Sequence, residues 1–186
     1  MGGDVLAVPI GHDLGAFHPD AGFAAHVRQI RVGADVVELD DADFARWRQA
    51  HDPDGPVGGA EGLLRAGVLA EVAPGDAVGF ATGHRLLPLV LGLGNTAEQP
   101  WLYSVGLLHQ PLVVMSGPLY DVWQWAHLSP DLWSACLESV RVASEAGATD
   151  PDRIDPELVL AGVLGALHRM LSAGVACVDV RIEVDR

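Results

Sequence analysis

The chain has 186 residues, 49% of them hydrophobic, and a formal charge of −14, which is enough apolar material for one large core or two small ones. It contains no lysine, and that excludes a phosphate-binding Gly-Lys-Ser/Thr loop, a Schiff-base amine, a pyridoxal anchor and a kinase-type lysine. Acid predominates in both halves, with 13 Asp/Glu against 5 Arg before Ala77 and 12 against 6 from Ala77 onward, so neither half has the cationic surplus that general nucleic-acid binding draws on.

In chain order, Met1-Gly2-Gly3-Asp4 lacks the basic region and apolar core of a signal peptide. Val5 to Ile10 predicts a strand leading into a loop that runs to about Gly22. Val27 to Val32 and Val36 to Leu39, separated by Gly33-Ala34-Asp35, predict a hairpin. Asp40 or Asp41 then caps a helix with Phe44, Trp47, Ala50 and His51 on one face, ended by Asp52-Pro53-Asp54-Gly55-Pro56. Ala60 to Ala66 predicts a short helix stopped by Gly67, and Val68 to Val72 a strand before Pro74-Gly75-Asp76. Further on, Leu86 to Leu91, Trp101 to Leu108 and Leu112 to Met115 are strand candidates, and Ser116 caps a helix carrying Tyr120 and Trp123. Ser129-Pro130-Asp131 starts the next helix, which runs to Gly147. Ala146 to Pro151 reads as a linker, and Asp155-Pro156-Glu157 opens a last helix that is apolar on most sides and so belongs at the centre of the fold or against a partner. The longest apolar run, Leu86 to Leu93, is broken by Pro88 and Gly92, so no membrane span is expected and cytoplasmic residence is the default.

Two stretches of this order match each other. Phe44, Trp47, Ala50 and His51 recur in the same spacing as Tyr120, Trp123, Ala126 and His127. Upstream, Val8-Pro9-Ile10 with Leu14-Gly15 aligns with Leu87-Pro88-Leu89 and Leu93-Gly94, and Val36 to Leu39 with Leu112 to Met115. Downstream, Leu64-x-Ala66-Gly67-Val68 reappears as Leu171-x-Ala173-Gly174-Val175. The pattern predicts a duplication.

Strand, hairpin, helix, one or two further helices and a short closing strand is the order of a winged helix. Each repeat resembles such a unit, and the leading sheet before the helices is similar to PqqD-like peptide-recognition domains. The expected fold class is therefore α+β, with two tandem winged-helix-like units at residues 1–76 and 77–186, the second more helical. The first copy has one short helix after His51 where the family pattern has two. The resemblance implies a binding module that adds a peptide strand to a sheet edge beside a helix, and leader-peptide recognition for a modifying enzyme is its concrete form. A winged-helix transcriptional regulator and an enzyme of unrecognised type are the alternatives.

Candidate contact residues follow from the residue types. Arg28, Arg31, Arg46, Arg48 and Arg65 cluster in the first unit, two on the expected hairpin and two on its helix, where an acidic peptide could meet them. On that basis the second copy reads as scaffold. Trp101, Tyr103 and Trp125 are the aromatics least committed by the repeat, and Trp125 falls where the first copy has Gln49. Either Trp125 packs under the longer helices, or it is an exposed anchor for a partner. His51 and His127, near helix ends, are expected to bond free carbonyls as imidazolium ions favoured by the helix dipole. His12, Asp13, His18 and Asp20 supply metal-ligand types in one loop, but their spacing matches no zinc signature. Cys136 and Cys177 sit in apolar stretches and read as buried thiols. No nucleophile motif, cofactor motif or catalytic residue is found. The expected partner is a peptide or protein, with a homodimer allowed.

Overall fold

The computed structural model describes residues 5–20, 26–55, 59–73 and 75–183. The expected end of the loop at Gly22, the turn prolines Pro56 and Pro74, and Met1 to Asp4 lie outside the described residues. Helices and small antiparallel sheets alternate in an α+β fold. The first half runs β1 (Leu6–Pro9), β2 (His12–Phe17), β3 (Val27–Val32), β4 (Asp35–Leu39), α1 (Asp41–Gln49), α2 (Glu61–Arg65) and β5 (Leu69–Val72). A connecting helix, α3 (Ala77–Gly83), leads to β6 (His84–Pro88), β7 (Leu91–Gly94), β8 (Leu102–Leu107) and β9 (Gln110–Ser116). Then come α4 (Gly117–Trp125), a single tight turn Ala126–Leu128, α5 (Leu132–Glu145), α6 (Pro151–Ile154), α7 (Pro156–Ser172) and β10 (Ala176–Val180).

The two halves share one pairing scheme. β2-β3-β4 and β7-β8-β9 are each three-stranded antiparallel sheets, and the leading strand of each half pairs with its closing strand, β1 with β5 and β6 with β10. Even the irregularities recur: the ladder slips between Asp13 and Gly15 in one sheet and between Gly92 and Gly94 in the other. Gly15 and Gly94 have φ of 89° and 79°, a region open to glycine because it has no Cβ, and each lets its strand bulge. In each unit one strand follows the helices, where a wing would be a hairpin, so the likeness to a winged helix is confined to element order.

The repeated tryptophans occupy matching places. Trp47 and Trp123 are buried, and each stacks on the aromatic ring three residues earlier, Phe44 at 5.9 Å and Tyr120 at 5.7 Å. Ile10 and Val68 are joined by a backbone hydrogen bond, as are Leu89 and Val175 at the corresponding positions. The Trp47 Nε1–H donates to the Ile10 carbonyl and the Trp123 Nε1–H to the Val175 carbonyl, so each indole ties its helix to that junction from one side or the other.

Several local expectations are corrected. The segment after Ile10 is a strand, β2, because it pairs with β3. Leu86 to Leu91 is split between β6 and β7, which belong to different sheets. The cap of α5 is Asp131, whose carboxylate accepts from the Ser134 N–H, two residues later than Ser129. Ser116 stands at the start of α4 but makes no side-chain cap bond. The expected linker ends in α6, started by Asp150 and Pro151. By contrast Asp40 caps α1 and Asp155 caps α7 as their sequence contexts predict.

The core does not divide where the repeat does. A small cluster gathers Ile30, Leu39, Trp47, Leu63 and Val68. A larger one is built around α7 and Trp123, and it takes in Val8, Ile10 and Val72 from the first half. β1 is therefore shared, with Ala7 in the small cluster and its neighbour Val8 in the large one, as the alternation of a strand dictates.

Candidate functional site

α4 begins with Gly117-Pro118 and carries two faces. Val122 and Trp123 point into the core, whereas Asp121 and Trp125 face outward, joined beyond the helix by Leu128. α5 crosses beside it and offers Ala135, Ser139 and Ala143 along one row, spaced by four residues. Side chains that small cannot fill the space between the helices. The result is a groove of about 780 Å3, lined also by Leu128, Pro130, Val142 and Arg153 of α6.

The groove is apolar with few charges. Trp125 is 56% exposed and Leu128 70%, so two large hydrophobes stand at its mouth uncovered by the chain. Burial pushes the Asp121 carboxyl above the ordinary carboxylate range, and the nearby Arg153 opposes this only in part. Glu138, on α5, is held by both Nε and Nη2 of Arg141, which also reaches Glu145; its carboxyl is kept below the ordinary range by that bond.

The repeat supplies an internal comparison. In the first half the positions matching Asp121, Trp125 and Leu128 are Ala45, Gln49 and Asp52, so a helix that buries its tryptophan in the same way carries polar residues in place of Trp125 and Leu128. The fold itself does not demand Trp125 or Leu128.

Compared with known proteins, the chain matches no family model, no curated protein and no solved structure. The site is therefore read from its own geometry.

Of the residues singled out from sequence, Trp125 lines the groove and the others lie elsewhere. Trp101 is exposed just before β8. Tyr103 is half-buried, its ring stacked on Tyr120 at 4.6 Å. The arginines have acceptors within the protein. Arg28 bonds Asp41 and lies over the Phe44 ring, Arg46 bonds Asp43, Arg65 bonds the Glu61 carbonyl, and Arg48 stands 3.9 Å from Asp13. Arg31 is engaged with the other half of the molecule, where its Nη1 donates to Asp179.

A second cavity, about 440 Å3, opens where the halves meet, and His12, Asp13, Arg48 and His51 border it. Among the described residues no three His, Cys, Asp or Glu side chains converge as a metal site would need. His18 instead faces His26, ring to ring at 5.2 Å. His51 and His127 do bond helix carbonyls, those of Trp47 and Gln124, through Nδ1. The imidazolium expected at His51 is corrected: burial lowers its pKa, outweighing the Trp47 carbonyl that raises it. Burial pushes the thiols of Cys136 and Cys177 up to about 12 and about 11, which leaves neither as a thiolate nucleophile at neutral pH. Among the described residues no helix is long and apolar enough to cross a membrane.

Sequence reasoning passed over Asp121, Leu128 and Arg153. The available signal was the i, i+4, i+7 spacing of Asp121, Trp125 and Leu128, a second helix face next to the one that carries Trp123.

Proposed function

We propose that the chain is a non-enzymatic peptide- or protein-binding adaptor that holds its partner in the groove between α4, α5 and α6. One observation carries the reading: Trp125 and Leu128 are exposed at the groove mouth where the first copy has Gln49 and Asp52. Uncovered large hydrophobes beside a formed cavity are what a partner covers, and an indole gains most from being covered. A groove walled by helices suits an amphipathic segment laid along it, rather than a strand added to a sheet edge. On this reading binding belongs to the second unit, and a leader peptide presented to a modifying enzyme is one partner of that kind.

The test is affinity capture from native lysate with the wild-type chain and two groove variants, Trp125→Ala and Ser139→Phe, the second filling the floor. A partner retained by wild type and lost by both variants, each with an unchanged circular dichroism spectrum, supports the reading. Recovery of the same proteins by all three chains overturns it.

A further inference from the structure

The second sheet has an outer face without charge. The strands β7, β8 and β9 contain no Asp, Glu or Arg, in a protein of charge −14. The pairing register shows which residues share that face. Val105 and Val113 are paired and buried, and a Cβ on Gly92, opposite Val105, would strike the Tyr120 hydroxyl, so these three mark the inner side. Leu91, Ser104, Leu112 and Val114 therefore lie outward. Leu91, Leu112 and Val114 are exposed, and Leu107 at the end of β8 and Leu108 in the turn after it extend the patch.

The first sheet shows that such a face is not a requirement of the fold. There His12 stands in the place of Leu91, Gln29 in that of Ser104, Arg31 in that of Gly106 and Glu38 in that of Val114. Gln29 and Glu38 are hydrogen-bonded to each other across the strands. The same pairing scheme thus folds in the first half with Gln29 and Glu38 on the outer face, beside the exposed Val36 and with Arg31 turned to Asp179, and carries an uncharged apolar face in the second.

We infer that the outer face of β7-β8-β9 is where a second copy of the chain docks, face to face. Two chains of −14 repel wherever their acidic surfaces approach, so an uncharged patch is the surface on which copies can meet, and an apolar face is complementary to itself across a two-fold axis. Pairing through the strand edges is disfavoured. Pro111 offers no N–H on β9, Arg169 already donates to the Val114 carbonyl, and β7 is short and bulged. Area sets the strength: three strands about 4.8 Å apart and some 20 Å long present roughly 300 Å2, well under the ~800 Å2 per partner of a standard interface even before Leu107 and Leu108 are added. The dimer is weak and transient. This inference is independent of the groove.

Sedimentation velocity on the full chain, from about 5 to 500 μM, reads it directly. The expected result is a monomer–dimer equilibrium that tightens as salt screens the like charges. Leu91→His and Val114→Glu, which install the residues of the first sheet at matched positions, should each weaken it at least tenfold while the melting temperature stays within a few degrees of wild type. Trp125→Ala should leave it unchanged. A wild-type chain that stays monomeric through that range overturns the inference, as does a dimer that survives both face variants or is abolished by Trp125→Ala. Should a face variant fail to fold, Leu112→Gln provides the same readout at a position matched by the exposed Val36 of the first sheet.

Discussion

His51 shows how a side chain with one sequence meaning acquires another from its setting. It closes α1 by bonding the Trp47 carbonyl and meets the indole edge-on at 4.5 Å. Its Nδ1–H is the donor, so the neutral ring suffices, and burial then disfavours the cation. The consequence for stability has a definite sign. An unfolded chain takes up a proton near the ordinary histidine value of 6.5, while the folded chain resists doing so until lower pH. Stability from this group is therefore full above about pH 7 and is lost as pH falls through 6.5 toward the folded value. Burial lowers His84 in the same way. Asp121, raised by burial, works in the opposite sense, since it binds its proton more readily when folded. We expect His51→Gln, which keeps a donor but does not titrate, to flatten without abolishing the loss of stability between pH 7.5 and about 5.5. Urea unfolding of both chains across that range checks it, and parallel pH profiles would refute it.

The elements were mostly legible because their signals are local. Asp155-Pro156-Glu157 predicts the start of α7, and the Asp155 carboxylate indeed accepts from the Glu157 and Leu158 N–H groups. Ser116 and Ser129 looked equally good from residue type, but capping needs an oxygen aimed at N2 or N3, and only geometry supplies that. At α5 the work falls to Asp131, buried with its Oδ1 2.7 Å from the Ser134 nitrogen. Asp131→Ala should therefore cost about 1–2 kcal/mol, whereas Ser116→Ala should cost less than about 0.5 kcal/mol. Thermal or urea denaturation distinguishes them, and equal losses would contradict the capping assignment. β2 escaped detection for a related reason. His12 to Phe17 follows Gly11, opens on His12-Asp13 and is interrupted by Gly15, which is a loop signal, and it is extended because β3 is there to pair with it. Strand formation depends on the neighbour more than on the segment. The groove was only partly legible: Trp125 stood out against Gln49, but the emptiness beside it depends on how α4, α5 and α6 cross.

At the scale of the molecule, the halves are locked by a buried carboxylate. Asp179 of β10 is fully buried and accepts from the Gly33 and Val180 N–H groups, from Arg31 of the first half and from Arg85 of the second. Burial pushes its pKa up, but those donors and cations together outweigh it and hold the carboxyl below the ordinary range. Nearby, the Gly11 N–H donates to Val178 and His168 bonds the Ala7 carbonyl. Removing the charge leaves two guanidinium groups facing an amide, and the Arg85 Nε already lacks a partner. Asp179→Asn should cost about 3 kcal/mol, at the low end for a broken buried pair because Arg31 keeps solvent access. The core that spans both halves predicts one cooperative transition in wild type and variant alike, seen by coincident tryptophan fluorescence and circular dichroism. Two separated transitions would show that the halves unfold independently.

From the sequence alone came the duplication, the buried equivalence of Trp47 and Trp123, the lysine-free acidic character and most helix boundaries. These rest on periodicity, composition and capping, which act over a few residues. The tertiary structure alone decided that Arg31 reaches Asp179, 148 positions along the chain, that β1 is shared between two cores, and that Trp125 borders an open groove. Those outcomes depend on which surfaces meet, and segments far apart in the chain meet only once it has folded.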